Sequence, residues 1–334
     1  MIDTLSARDL AARRAPDDWP ALTPDEAAAH APDLSLVIAD VGDLLRARCS
    51  LWWTEAPPLA GETLGAIGHF GAADERAAKQ LLDAACRELA SRGCTLAVGP
   101  MDGNTWRRHR LVVDRGTEPP FFLEPWNPPD WPAWWTAARF TPLAHYFSAV
   151  NDDLSRADER AAAVASRLES SGVRIRAVRL DDLEAELVRI HDVARVSFQN
   201  NFLYTPLPFA PFAEQYRRLG PLLVPELALV AEYEGRTVGF SFSVPDIAEQ
   251  RRGASVQTVI VKTLAILPER SLLGGLGTLL VQRTREMARD LGFTREIHAL
   301  MHETNQSRNI SARTARPMRR YALYQRRLAP SGPA

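Results

Sequence analysis

From Lys262 to Leu280 the chain reads Lys-Thr-Leu-Ala-Ile-Leu-Pro-Glu-Arg-Ser-Leu-Leu-Gly-Gly-Leu-Gly-Thr-Leu-Leu. An apolar run stops at Pro268, a loop with little side-chain bulk follows, and a helical pattern starts at once. Several free backbone N–H groups must therefore converge at a helix N-terminus, where unpaired amides and the macrodipole favour a phosphate. A nucleoside triphosphate loop would need Gly-Lys-Ser/Thr, and Gly277 is followed by Thr278 and Leu279. A dinucleotide fingerprint would need a third small residue three positions after Gly277, where Leu280 stands. Just downstream, His302, Glu303 and Asn305 follow an apolar segment, at the carboxyl end of a strand where ligands gather in open α/β sheets. Lys262, on the strand just before, faces either this pocket or solvent, while His298 lies mid-strand and is read as structural.

The elements that must position these groups follow from periodicity. In the second half the pattern predicts a strand over 173–178, helices over 182–199 and 209–219, and strands over 227–233 and 237–244 joined by Glu234-Gly235. A long strand over 255–267, a helix over 278–291 ended by Gly292, a strand over 295–301, a short helix over 305–315 and a closing strand over 319–328 complete it. The first half offers short helices or a loosely held arm to about Pro32. Strands over 34–41, 48–54 and 61–70 follow, then a helix over 74–91 ended by Gly93, and a strand over 95–98. Strand, helix, capping glycine, strand and asparagine (Asn104, Asn305) thus occur twice, which indicates internal duplication. The segment 151–172 reads as an amphipathic linker helix and marks the boundary, giving units at 1–150 and 172–330 around a 151–171 linker.

Composition sets the limits. A chain of 334 residues with 46% hydrophobic and 24% charged residues is long enough for two globular cores. A net charge of -1 provides no positive field for nucleic acid or an anionic membrane. Lys79 and Lys262 are the only lysines, as codon bias in a GC-rich bacterial genome would give. Three cysteines without paired spacing indicate neither a disulfide framework nor a metal ribbon. No apolar leader or spanning segment is present, so a cytoplasmic, soluble protein is expected. Four tryptophans between 126 and 135 either pack a proline-stiffened loop onto the sheet or wall a substrate pocket, with Trp126 and Asn127 the pocket candidates.

The whole second half, about 160 residues, resembles the GNAT superfamily of acyl-CoA N-acyltransferases. The resemblance rests on the apolar strand ending at Pro268, the loop Arg270 to Gly277, the capped helix, the next strand and Asn305 in that order. It implies an α/β (α+β) protein of two GNAT-like domains, each a mixed, mostly antiparallel twisted sheet flanked by helices. By the same resemblance, backbone at Leu264, Ala265, Ile266 and Leu267 would pair with the pantetheine arm of acetyl-CoA or another acyl-CoA. Amides from Gly274, Gly275, Leu276, Gly277 and Thr278, with Arg270, would hold its pyrophosphate, and Asn305 would face the cofactor. Arg270 stands one position farther from Gly275 than the family pattern has it.

The implied reaction is direct attack of a small-molecule amine on the thioester, with no metal, by a protein that is a monomer or a homodimer. Glu303 is the expected base and His302 a substrate contact. The tyrosine that many members place after the asparagine is missing, so the proton for the thiolate falls to Ser311, to Tyr321 or Tyr324, or to water. In the first half Phe70-Gly71-Ala72-Ala73-Asp74 replaces the glycine loop, and Asp74 would cap the helix with negative charge, as in a degenerate copy that binds no CoA. Two alternatives stay open. One is a silent acyl-CoA-binding or scaffold protein, and the other a tandem GNAT-fold transferase using aminoacyl-tRNA.

Overall fold

The two halves share one order of elements apart from the strand Leu111–Asp114 in the first and the helix Ile247–Arg251 in the second. In the first, β1 (Asp3–Leu5), α1 (Ala7–Ala12) and α2 (Pro24–Ala29) precede β2 (Leu34–Ala39), β3 (Leu45–Trp52) and β4 (Leu64–Ala72). Next come α3 (Glu75–Ser91), β5 (Leu96–Gly99), β6 (Leu111–Asp114), α4 (Trp131–Ala137) and β7 (Thr141–Asn151). After the connecting helix α5 (Ala161–Ser170), the second half runs β8 (Arg174–Ala177), α6 (Leu183–Phe198), α7 (Phe209–Leu219), β9 (Ala228–Tyr233) and β10 (Arg236–Pro245). It continues with α8 (Ile247–Arg251), β11 (Thr258–Ile266), α9 (Leu276–Asp290), β12 (Arg295–His302), α10 (Ser307–Ser311) and β13 (Arg316–Arg327). This computed structural model describes residues 2–40, 44–156, 161–268, 273–305 and 307–329.

The two halves share one sheet in the order β1-β2-β3-β4-β5-β13-β7-β12-β11-β10-β9-β8, with β6 also on β13. Among the described residues all strand pairings are antiparallel except β4 with β5 and β11 with β12. Those two parallel pairs are each joined by a crossover helix, α3 or α9, as parallel strands require. The closing strands are exchanged: β13 lies against β5 of the first half, and β7 lies against β12 of the second. β7 and β13 then pair with each other from Arg316↔Val150 to Gln325↔Thr141. The sequence pattern predicts a helix from 151 and marks no element over 141–150. Instead β7 runs through Asn151 and described helix begins only at Ala161.

Helix ends follow local chemistry. Asp74 caps α3 as expected, its carboxylate accepting the Ala77 N–H at 2.8 Å. α9 has glycine at its N-cap and no side-chain cap at all. Apolar packing fills both sheet faces. Trp131 and Trp135 sit with Phe70, Leu81 and Leu82 under the first half, and Phe212, Phe240 and Ile260 lie under the second. A further cluster, including Trp52, Tyr146, Leu203 and Tyr321, bridges the two. Of the tryptophan-rich segment, Trp131 and Trp135 meet Phe70 edge-on at 5.0 and 5.1 Å, so these rings fill core.

Candidate functional site

β11 and β12 are paired from Thr258↔Arg295 to Val261↔His298 and pair no farther. At that point Phe242 opposes Thr263 while Ser243 opposes Val261, which leaves Lys262 as the extra residue of a bulge on β11. β12 shows its own register shift against β7 between His298 and Met301. Bulges bend strands and redirect side chains, and here they open a wedge between two otherwise parallel strands.

Backbone polarity along the wedge is set by alternation. The Leu267 N–H donates to Val238 O at 2.9 Å, toward β10, and the Ile266 N–H donates to Ser197 Oγ of α6 at 3.1 Å, on the other side. Leu264 shares the edge of Ile266, and Ala265 faces as Leu267 does. Of the four residues singled out from the sequence, Leu264 and Ile266 therefore turn their amides to the free edge of β11, where Ser197 Oγ takes the Ile266 N–H and no sheet partner takes that of Leu264. Leu267 does not, because its N–H is committed to the sheet.

The free edge of β11 leads to the start of α9. Gly275 holds φ at +86°, where only glycine sits without strain, and a Cβ there would come within 2.9 Å of Val164 on α5. A Cβ on Gly277 would meet Ile266 at 2.9 Å and Ile310 at 3.2 Å, so this glycine lets α9 approach both β11 and α10. Arg167 donates to the carbonyl of Gly274. Leu276 is buried and its N–H is taken by Leu273 O, whereas Thr278 is half-buried at the third helical position. Arg270, the expected basic residue of the loop, lies outside the described residues. Asn305 is exposed, and its Oδ1 accepts the Ser307 N–H at 3.2 Å, starting α10 rather than meeting the wedge.

At the deep end of the wedge several polar groups collect that sequence reading treated singly or missed. Arg110, in the turn before β6, lies over the Tyr146 ring at 3.9 Å. His302 meets the same ring edge-on at 4.9 Å and packs beside Phe202 at 5.5 Å. The Thr304 N–H donates to His302 Nδ1 at 3.2 Å, so the proton of the neutral ring is on Nε2, which is buried with no partner. Burial, then Arg110, lowers the pKa of His302 and keeps it neutral. Burial and Arg110 also pull Lys262 down to about 8. The segment around Phe202 to Thr205 covers this corner, held by Trp106 Nε1 donating to Thr205 O at 2.8 Å.

The remaining sequence candidates are placed as follows. Glu303 follows His302, half-exposed, 3.6 Å from Arg320. Ser311 is buried on α10 with an unpartnered Oγ, next in sequence to the Ile310 that touches Gly277. Tyr324 is not brought to the wedge: it pairs across to Gly99 of β5 and packs near Trp135 in the first half. Tyr321 is also occupied, sharing its hydroxyl with Glu124 at 2.5 Å and Ser148 at 3.0 Å. Asn127 is buried, and its amide brackets Val112, taking that N–H at 2.7 Å, so it serves the backbone of β6 and not a pocket. Trp126 is exposed beneath Arg115 at 4.7 Å.

The equivalent wedge of the first half is closed. β4 and β5 pair from Leu64↔Leu96 to Ala66↔Val98. Beyond that, Met101 N–H donates to Ile67 O at 2.8 Å and Asp102 accepts the His69 N–H at 2.6 Å. A Cβ on Gly68 would lie 2.3 Å from Met101 O, so glycine is what permits this closure. Trp19 lies against Gly71, where a Cβ would come within 2.3 Å of its ring. Asp74 puts a carboxylate at the helix start and is paired with Arg46. His30 Nδ1 and His69 Nε2 are 2.8 Å apart, and Asp102 completes a cluster within 4.8 Å. Arg48, Arg107 and Arg108 surround these groups and bias them against a dication. Two surface hollows, one beside α5 and α9 near Arg283 and one beside α6 near Pro208, lie apart from the wedge.

No protein-family model and no curated protein matches the sequence. Solved structures match its fold. A GCN5-related N-acetyltransferase from Sphaerobacter thermophilus aligns over 97% of this chain and 90% of its own, with a TM-score of 0.51 and 10% identity. A tandem GNAT protein from the clavulanic acid biosynthesis pathway aligns over 99% of this chain and 100% of its own, with a TM-score of 0.53 and 13% identity. A glucosamine N-acetyltransferase region of a fungal multi-domain β-N-acetylglucosaminidase gives a TM-score of 0.55 at 13% identity, over 98% of this chain and 38% of that one. At such identities the likeness is one of fold, and the fold is that of the GNAT superfamily in its two-domain form.

Proposed function

We propose that this tandem GNAT-fold chain is an acyl-CoA-dependent N-acyltransferase, with acetyl-CoA the donor, and that only its second half holds the donor. The observation that carries this reading is the contrast between the halves. The β11/β12 wedge is open and runs to a helix start with no side-chain cap, while the β4/β5 wedge is sealed and its helix start carries Asp74. The residues fit the donor: the first-turn amides of α9 suit a pyrophosphate, and the Leu264 and Ile266 edge suits an amide-bearing arm.

Bound acyl-CoA supplies an activated acyl carbon, and the chain must deprotonate the amine, hold the carbonyl oxygen and protonate the departing sulfur. The Leu264 N–H, on the edge of β11 that β12 leaves unpaired, is the donor for developing negative charge. Glu303, at the wedge rim with one side in solvent, takes the amine proton, and the Ser311 hydroxyl beside the first turn of α9 serves the sulfur.

The test is calorimetric titration of acetyl-CoA into wild type and Thr278→Asp. An acidic residue in the first turn favours the helix itself but opposes a pyrophosphate, so the variant should fold and bind at least tenfold more weakly. Gly275→Glu is a poorer probe because its side chain would also strike Val164. No binding to folded wild type refutes the proposal.

A further inference from the structure

The deep end of the wedge gathers donors from both halves, and among the described residues no acceptor meets Arg110 Nε or Nη1 or His302 Nε2. Arg110 has Nε and Nη1 buried and without a partner, and no carboxylate is among the groups acting on it. Its backbone sits at φ +73°, a conformation unfavourable for a residue with a side chain, fixed by its N–H donating to Pro100 O at 2.9 Å. Other buried arginines behave differently: Arg285 pairs with Glu296 at 2.8 Å and Arg319 with Glu124 at 2.7 Å. Lys262 stands at the β11 bulge within electrostatic reach of Arg110, whose charge, after burial, lowers the Lys262 pKa, and no acid acts on Lys262. His302 adds its Nε2–H from the end of β12, in contact with the same Tyr146 ring that carries Arg110.

Leaving buried cations unpaired is costly, and strained backbone at a cluster of unpaired donors marks a site built for a ligand. The donor's phosphates do not meet this need. Lys262 precedes Ile266 by four strand residues, about 13 Å at 3.3 Å each, and the α9 start lies beyond that again. The anion met here must therefore belong to the other substrate, at the point where the strands part.

We propose that Arg110, Lys262 and the Nε2–H of His302 form a carboxylate subsite, and that the acceptor is a small amino acid whose own carboxylate binds there. This rests on the acyltransferase reading above and names its substrate class. It also gives the silent first half a task, since Arg110 belongs to that half and the subsite is incomplete without it.

The experiment uses the full-length protein with a panel of the twenty common amino acids, β-alanine and γ-aminobutyrate, each as free acid and as carboxamide. Thiol release from acetyl-CoA is followed for wild type, Arg110→Gln and the conservative Arg110→Lys. The expected result is turnover of one or more free acids with at least a tenfold lower kcat/KM for the matching amide. Arg110→Gln should raise KM for the acid at least tenfold and erase the preference, Arg110→Lys should restore part of it, and acetyl-CoA affinity should be the same in all three. Equal use of acid and amide, no use of any acid, or a preference that survives Arg110→Gln overturns the proposal. If wild type fails to bind acetyl-CoA, the acyltransferase reading falls, and the subsite is judged by calorimetric binding of the free acids alone. Binding lost in Arg110→Gln upholds it, and no binding to wild type overturns it.

Discussion

Arg110 and His302 stand on one aromatic ring, that of Tyr146: the guanidinium lies over it at 3.9 Å and the imidazole meets it edge-on at 4.9 Å. Arg110 comes from the first half, His302 from the second, and Tyr146 from the strand the first half lends to the second. Opposite effects are expected when buried arginines of different surroundings are replaced.

Arg110→Met should leave stability unchanged or raise it by about 1 kcal/mol, because it removes an unpaired buried cation whose cation–π contact offsets only part of its desolvation. Arg319→Met should lower it by about 3 kcal/mol, because Glu124 would be left buried without its partner. Urea denaturation of both variants checks this. A large loss in Arg110→Met would show that the arginine is structural.

Lys262 titrates near pH 8 in the folded protein, against 10.5 when unperturbed. Between those values the unfolded chain binds more protons, so the penalty for burying this ammonium is present in full below about pH 8 and fades as pH rises toward 10.5. Lys262→Met should therefore be more stable than wild type at pH 7, and the gap should narrow by pH 10. Unfolding free energies at the two pH values decide; a constant gap would rule out this origin.

His30 and His69 are both pulled down to about 3, by burial first and then by neighbouring arginines. Here too the unfolded chain binds more protons between the two limits, so the stability their neutral forms permit is present above pH 6.5 and lost as pH falls toward 3. His69→Asn, a residue that tolerates the positive φ of +47° at this site, should flatten the acid limb of the stability curve. An unchanged limb would assign acid sensitivity to other groups.

Acetyl-CoA should bind with a stoichiometry of one per chain, since Trp19 fills the space over Gly71 and Asp74 occupies the α3 start. Asp74→Ala should leave that number at one and cost about 1 kcal/mol of stability through loss of the cap. Two equivalent sites in the titration would refute the account of the first half.

The order of elements in the second half was legible in the sequence because each is announced by its own period and stop signals, such as the hairpin at Glu234-Gly235 and the glycines ending α3 and α9. The Asp74 cap was legible for the same local reason. The bulge at Lys262 was not, since an extra residue leaves no trace in composition and shows only against the partner strand. Arg110 was hidden among many arginines, and only its lack of a counter-charge, a tertiary fact, sets it apart. The sequence does not reveal that the Asn127 amide serves the backbone of β6, or that Tyr324 lies against β5 and Trp135 in the first half, because both are tertiary facts. β7 was missed altogether, and with it the exchange of closing strands.

That exchange makes the polypeptide link between the halves mechanically redundant. Divided between β7 and α5, the chain would yield two fragments that each lack an inner strand and carry the other's, so neither sheet could close alone and the two should recover their shape only together. Because Arg110 and Lys262 would then arrive on separate molecules, any chemistry at the wedge would report that the fragments had met, which is the behaviour wanted of a split enzyme.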